Sequence, residues 1–324
     1  TSLQTISRSY KVRLYPNKSQ ARELNRLFGA RRFIWNWSIQ KQFENFLDYQ
    51  EQVKLAEEQG LEKPDRVYLT GNKLSKAFTE LRKATKWLKS LPRESFTQTF
   101  RDLDKAWANV KKTGAKRPRR KRYGSVNSAR FALDDRNGER IDYEKCRVHL
   151  TKIGEVKFRK TEELLGNLCN ITVYRNPAGQ WYGCFAATGV PVNIHELGCP
   201  IHDDKSNQNS IGIDLGVKTA LTLSNGTLIQ APRILSQYER RLKRYQRQYS
   251  RQLDVGAIKQ GLKKRNESFP KGKKVEISNR MWKTKAKIGK THVKIADTRR
   301  DFQQKATSEL IKNYKIICME DLNI

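Results

Sequence analysis

Residues 9–15, SYKVRLY, alternate Tyr10, Val12 and Leu14 with Lys11 and Arg13, the period-two pattern of a strand with one buried face. From Pro16 the period changes. Leu24, Leu27, Phe28, Ile34 and Trp37 recur at helical spacings, and Asn17 stands where an N-cap belongs. A second helical set, Leu74, Phe78 and Leu81, leads to Trp87-Leu88. The clearest helix begins at Pro92, with Phe96, Phe100, Leu103, Trp107 and Val110 spaced 4, 3, 4 and 3 apart as a core stripe and Gln98, Arg101 and Lys105 opposite.

From about 128 to 190 the period returns to two. Phe131/Leu133, Val148/Leu150, Val156/Phe158, Ile171/Val173 and Trp181/Gly183/Phe185 predict short strands, separated by turns at Asn137-Gly138, Gly154 and 176–179. Such a series predicts a small β-barrel that the strand at 9–15 would close, with the helices of 17–112 as an insertion. Residues 188–209 read as an irregular linker. Beyond it, IGIDLG (211–216) predicts a strand and turn, followed by a hairpin at Asn225-Gly226. Leu235, Tyr238, Leu242, Tyr245 and Tyr249 then mark an amphipathic helix; a further helix is expected at 291–312, and Ile316–Met319 as a short strand ending in acids. The fold class is thus α+β and multidomain.

Charge narrows the function. Of 324 residues, 66 are Lys or Arg and 33 are Asp or Glu, a formal charge of +33 that repels itself unless a polyanion neutralises it. An acidic solvating protein is excluded, and a small-metabolite enzyme is disfavoured. No apolar run is long enough to cross a membrane, and the N-terminus lacks the features of a secretory signal. Five scattered cysteines suit a reducing compartment, so the expected location is cytoplasmic, on nucleic acid. The tract 111–122, KKTGAKRPRRKR, holds eight basic residues and no acid, and it reads as a phosphate contact or as a solvated linker. The candidate nucleic-acid-binding residues are Lys116, Arg117, Arg119, Arg120, Lys121 and Arg122 there, Arg240, Lys243, Arg244 and Arg247 on the amphipathic helix, and Lys263, Lys264, Lys285 and Arg299 beyond it. Trp35, Trp37, Trp107 and Trp282 are candidates for stacking on bases, core packing being the simpler reading of the first two.

Asp214 ends the apolar strand Ile211-Gly-Ile213 and precedes Leu215-Gly216; Glu320 ends Ile316-Ile-Cys-Met319 in the same way. Two carboxylates at the ends of adjacent parallel strands converge and repel, and a cation such as Mg2+ or Mn2+ with oxygen ligands relieves that repulsion. Two such ions activate water and stabilise the leaving oxygen in phosphodiester hydrolysis. Taken singly, a turn-forming Asp before Gly and an exposed strand-end acid remain open readings. IGIDLG also occurs in the ATP-binding fold of chaperones and sugar kinases, but no later glycine-rich phosphate loop follows here.

Five stretches carry a resemblance: YKVRLYPNKSQARELNRLFGARRFIWNW (10–37), LPRESFTQTFRDLDKAW (91–107), IGIDLGVKTALTLSNG (211–226), HVKIADTRRDFQQKAT (292–307) and IICMEDLNI (316–324). Together, in this order, the chain resembles TnpB, the RNA-guided nuclease of bacterial insertion sequences and a relative of the compact type V CRISPR effectors. The resemblance implies a wedge β-barrel (1–16 and 123–205), an inserted helical recognition lobe (17–122) and a RuvC domain of ribonuclease H-like fold (206–324), partial at its C-terminal end. It implies Asp214 and Glu320 as the first two catalytic, metal-binding acids, a structured guide RNA and double-stranded target DNA as partners, and a short motif beside the target read by the protein. Gln98 lies where the recognition lobe would approach that motif, and a Gln pairs well with an adenine edge; a solvent-facing Gln is the plain alternative.

The sequence departs from the pattern in two ways. The family's third acid and its CxxC…CxxC zinc element are not found before Ile324, so zinc is expected only in a C-terminal part outside this chain. Cys146/His149 and Cys199/His202, with His195 nearby, have a zinc-compatible spacing but no clear partners, and no zinc is expected of them. Three functions stay open: an RNA-guided, Mg-dependent endonuclease, an RNA-guided DNA binder that does not cut, and an RNA-independent transposase. The first is favoured because both acids are intact; a monomer is the expected state.

Overall fold

The computed structural model describes residues 4–122, 124–133, 140–192, 210–216, 219–265, 267–268 and 275–320. The chain divides into two compact units, one of residues 1–176 and 180–192, the other of 177–179 and 193–324.

The first unit is built on a seven-stranded antiparallel sheet. Its strands are β1 (Gln4–Tyr15), β2 (Ser128–Ala132), β3 (Ile141–Asp142), β4 (Arg147–Leu150), β5 (Gly154–Arg159), β6 (Asn167–Arg175) and β7 (Trp181–Val192), in spatial order β2-β6-β7-β1-β5-β4-β3. The lone N-terminal strand therefore sits in mid-sheet, paired with β7 and β5. Alternation sends Tyr10, Val12, Leu14, Val156, Phe158, Ile171, Val173 and Phe185 inward, where they are essentially sealed from solvent. Among the described residues the sheet curls without closing, with β2 and β3 as its edges.

Helices α1 (Lys18–Glu58), α2 (Gly71–Ala84), α3 (Lys86–Lys89) and α4 (Arg93–Thr113) share one hydrophobic core with this sheet. Asn17 forms a capping box with Gln20, satisfying two backbone donors at the start of α1. Most of the predicted α4 stripe is core: Phe96, Phe100 and Leu103 are buried and Trp107 packs against the core, whereas Val110, near the helix end, is only half-buried.

Side chains of α1 and α4 occupy the outer edge of β2. Along the free edge of β2, the Ser128 carbonyl accepts from Arg31, the Arg130 carbonyl accepts from Ser95 (2.9 Å), and the Ala132 N–H donates to Glu94 (3.3 Å). These are the groups another strand would have used, and their capture blunts the edge. Arg31 is the hub. It is buried at 8% exposure and also donates to Thr99 (3.0 Å) and Asp102 (2.9 Å). Burial lowers its pKa, and the Asp102 carboxylate opposes that shift.

The second unit carries a four-stranded sheet of β8 (Ser210–Asp214), β9 (Thr219–Leu223), β10 (Leu228–Gln230) and β11 (Ile316–Met319), ordered β10-β9-β8-β11. β8, β9 and β10 run antiparallel in turn, while β11 lies parallel to β8. The Asn225-Gly226 hairpin turn is present, with Gly226 at φ +82° and the Asn225 carboxamide oxygen accepting from the Thr227 N–H. Ile211, Ile213, Leu223 and Leu310 form a small core beneath the sheet.

Two long helices complete the unit, α5 (Ile234–Lys259) and α6 (Asn279–Asn313). The helix expected at 291–312 starts well before that. Ser278 caps it by accepting from the Met281 N–H, and Met281, Thr284 and Gly289 are buried in its first turns. Apart from Met281 these buried residues are small or polar, so hydrophobic periodicity does not mark this part of the helix. The expected turn at Asn137-Gly138, the linker after Val192 and the Cys199/His202 pair with His195 lie outside the described residues.

Candidate nucleic-acid interface and carboxylate pair

In β8, Ile211 and Ile213 point into the small core, so Ser210, Gly212 and Asp214 face the other side of the sheet. Parallel pairing runs Ile316↔Ser210, Ile317↔Ile211, Cys318↔Gly212 and Met319↔Ile213. Asp214 is the last residue of β8 and Glu320 immediately follows β11, and both are exposed. At a strand separation of about 4.8 Å, their backbones lie near one another at the carboxyl ends of these neighbouring strands. Gly216 makes the tight exit from β8, since a Cβ there would stand 2.6 Å from the Thr219 carbonyl oxygen. Among the described residues, no group of three or more His, Cys, Asp and Glu side chains gathers to hold a metal ion. Cys146 sits at a left-handed turn position (φ +51°) and makes no such cluster with His149.

The basic tract does not behave as a loose tether. Lys111 and Lys112 end α4, Gly114 closes it in the left-handed conformation, and the chain then runs against α1. The Trp35 indole N–H donates to the Arg119 carbonyl (2.9 Å). Asn36 makes a two-point clamp on Lys121, accepting from its N–H (2.7 Å) and donating to its carbonyl (3.0 Å). Lys116, Arg117, Arg119, Arg120 and Arg122 remain exposed. Lys121 differs: its ammonium lies 3.7 Å from the centre of the Trp35 ring, and burial, aided by nearby Arg31, lowers its pKa. Its side chain serves the protein, as does the indole that was a stacking candidate.

The other tryptophans divide similarly. Trp37 packs edge-on against Phe78, and Trp107 donates to Gln42 (2.9 Å). Trp282 is 39% exposed, with the Lys285 ammonium 5.0 Å from its ring centre. Gln98 is half-buried, and its amide donates to Asp102 (2.8 Å), the carboxylate that also holds Arg31. Its side chain is tied to the network bracing α4 against α1.

On α5, Arg240, Lys243, Arg244 and Arg247 line one cleft of about 1080 Å3 within the second unit. Arg251, Lys259 and Arg280 line it too, and only Glu276 among its lining residues is acidic. Arg251 closes the basic stretch 240–251, and 240, 244, 247 and 251 follow a single helical stripe about 16 Å long. Gln252 also lines this cleft with both amide atoms shielded and unpartnered among the described residues. Lys263 is 10% exposed and pairs with Asp254 (2.7 Å), so it is engaged internally; Lys264, Lys285 and Arg299 are exposed. On α5, hydrogen bonds from Arg241 and Arg244 lower the pKa of Tyr245.

The arrangement is that of a strongly basic α+β protein with cationic surfaces in both units and an acid pair at one sheet end. Two family models match the chain: "Helix-turn-helix domain" (IS605 OrfB) over residues 6–50 and "Probable transposase" (IS605 OrfB) over residues 190–324. The segment matched by the first is β1 and the leading part of a single helix, α1, rather than two helices joined by a turn. The chain is thus similar to the IS605 OrfB family in both matched regions, which is consistent with the resemblance to TnpB. It is 29% identical over 98% of its length to "Putative RNA-guided DNA endonuclease InsQ" of Escherichia coli K12, covering 66% of that protein. It is 25% identical over 99% of its length to "Putative RNA-guided DNA endonuclease" of Streptomyces pristinaespiralis, covering 68% of it. The chain thus spans about two thirds of these relatives. No helix among the described residues is long and apolar enough to cross a membrane.

Proposed function

We propose that this chain binds a structured guide RNA and double-stranded DNA and takes part in RNA-guided DNA cleavage, with Asp214 and Glu320 as the catalytic acids. The observation that supports this most is the parallel register of β8 and β11, in which those two residues come next after Ile213 and Met319. In this reading the curled sheet is the wedge, α1–α4 form the recognition lobe, and the four-stranded sheet with α5 and α6 is the RuvC part.

The donor set fits a hard divalent cation. Two exposed carboxylates offer only oxygen, and magnesium is commonly held by one or two carboxylates together with water and substrate phosphate. Asp214 and Glu320 would hold the magnesium or manganese ion; when bound, it supplies Lewis acidity and a more acidic water for phosphodiester hydrolysis. The chain's own residues then do two things. The acid pair, at the carboxyl ends of the neighbouring strands β8 and β11, offers oxygen ligands at one end of the sheet. The exposed cations of 116–122 and of the α5 cleft hold the phosphodiester backbone. A chain acting on genomic DNA in this way works in the bacterial or archaeal cytoplasm.

The test starts from natively purified protein washed at high salt, with the retained RNA sequenced. One discrete structured RNA with a variable end is the expected result, whereas a smear of cellular RNA refutes the guided reading. With that RNA supplied, Asp214→Asn is expected to abolish Mg-dependent cutting of a matched DNA while RNA retention persists. Cutting that survives the substitution removes Asp214 from the site. Guide-dependent DNA binding by the parent chain with no cutting establishes a guided binder instead.

A further inference from the structure

The outward face of the seven-stranded sheet has a composition that its strand pattern alone did not flag. Alternation places Lys11, Arg13 and Tyr15 of β1 on this face, with Lys157 and Arg159 of β5, Tyr182 of β7, Tyr174 of β6 and Arg130 of β2. Their register aligns them in rows. One row runs Arg159, Arg13, Tyr182, Tyr174; the next runs Lys11, Cys184, Thr172, Arg130.

Two features of this face run against isolated stability. Arg13 stands directly opposite Arg159, and Lys157 directly opposite Arg147, so like charges are cross-strand neighbours, which is unfavourable. Arg147 is compensated by Glu155 (3.0 Å). Lys11, Arg13, Arg130, Lys157 and Arg159 have no ion-pair partner among the described residues, on a chain already carrying +33. Meanwhile Arg13 and Lys11 are held in position. The Arg13 guanidinium lies 5.0 Å and the Lys11 ammonium 4.9 Å from the Tyr182 ring centre, and Tyr182 stacks on Tyr174 at 5.5 Å and 20°.

We propose that this sheet face is a phosphodiester-binding surface, with Lys11, Arg13 and Arg159 contacting nucleic-acid phosphates and Tyr182 acting as the positioning residue that holds Lys11 and Arg13. A polyanion removes the cross-strand repulsion that the fold leaves uncompensated. The Tyr182 ring is already taken up by Tyr174 and the two cations, so the surface grips backbone phosphates rather than stacking on bases. Its binding is therefore strongly salt-dependent and insensitive to base sequence. The inference rests on the reading of the chain as a nucleic-acid-binding protein and adds a surface distinct from the basic tract and the α5 cleft.

The test measures affinity of the full chain for a structured hairpin RNA and for duplex DNA across a salt series. Double substitution Lys11→Gln/Arg13→Gln is expected to weaken binding at moderate salt about tenfold. It also flattens the slope of log affinity against log salt by about 1.4–1.8, two phosphate contacts at ~0.7–0.9 each. Arg159→Gln, at an exposed strand end where folding is not at stake, flattens it by about one contact. Tyr182→Phe retains the ring and leaves affinity unchanged, whereas Tyr182→Leu keeps both charges yet lowers affinity several-fold. Loss confined to the RNA assigns the face to the guide, and loss confined to the duplex assigns it to target DNA; each supports the surface. Parent-like slopes in both Arg159→Gln and the double variant overturn it while leaving the functional reading intact. A parent chain that binds neither nucleic acid overturns both.

Discussion

Replacing Arg31 with Met probes how the helices and the curled sheet are joined. Met has a comparable length and suits the surrounding apolar core, so the substitution removes hydrogen bonds with little change in volume. Three acceptors lose a donor: the Ser128 carbonyl at the sheet edge, the Thr99 hydroxyl and Asp102. Thr99 still donates to the Ser95 carbonyl, and Asp102 still accepts from Gln98. The part-buried Ser128 carbonyl loses this donor, which costs about 1–3 kcal/mol. The charge-assisted bond to Asp102 adds about 1 kcal/mol, discounted because that side chain is 38% exposed. Relief from burying the guanidinium offsets part of the sum, leaving a net loss of roughly 2–3 kcal/mol. For a unit of this size that lowers Tm by about 4–12 °C. Tryptophan fluorescence is the suitable assay, because Trp35, Trp37, Trp87, Trp107 and Trp181 all belong to the first unit. Arg26→Met, which removes an exposed pair with Glu23, serves as the control and is expected to cost under about 1 kcal/mol. Equal Tm values for the two variants would refute the account of Arg31 as the hub of the sheet edge.

The Trp35 and Asn36 clamp on Arg119 and Lys121 is expected to slow trypsin cleavage around 119–122, so Asn36→Ala should accelerate cleavage there several-fold without lowering Tm by more than a few degrees; equal cleavage rates in the variant and parent count against the clamp. Gly166→Ala is expected to destabilise by about 2–4 kcal/mol, since its φ is +81° and a Cβ would stand 2.7 Å from the Thr188 carbonyl oxygen. Gly29→Ala, mid-helix in α1 with nothing within 4 Å of the added methyl, is expected to stabilise by about 0.5–1 kcal/mol in the same unfolding experiment.

Much of this molecule is written in local pattern. Alternation in 9–15 and in the segments from 128 to 190 identifies the strands because each buries one face, and the 4-3-4-3 spacing of Phe96 to Val110 identifies α4 because its stripe must meet a core. The Asn17 cap and the Asn225-Gly226 turn are legible for the same reason: their chemistry acts within a few residues. The neighbourhood of Asp214 and Glu320, 106 positions apart in sequence, is different. Strand-end context suggests a meeting, but hydrogen-bond register between β8 and β11 decides it. What decides whether a charged residue is free for a ligand is also tertiary. Lys121 over Trp35, Lys263 beside Asp254 and Gln98 on Asp102 look like their exposed neighbours in sequence, yet long-range or cross-turn partners occupy them. The outer edge of β2 is likewise occupied by Arg31, Glu94 and Ser95 from helices remote in the chain. Sequence determines periodicity, local caps and total charge, since these are sums or nearest-neighbour properties. Only the tertiary structure assigns each polar group its partner, because a hydrogen bond needs two groups within about 3 Å whatever their separation along the chain.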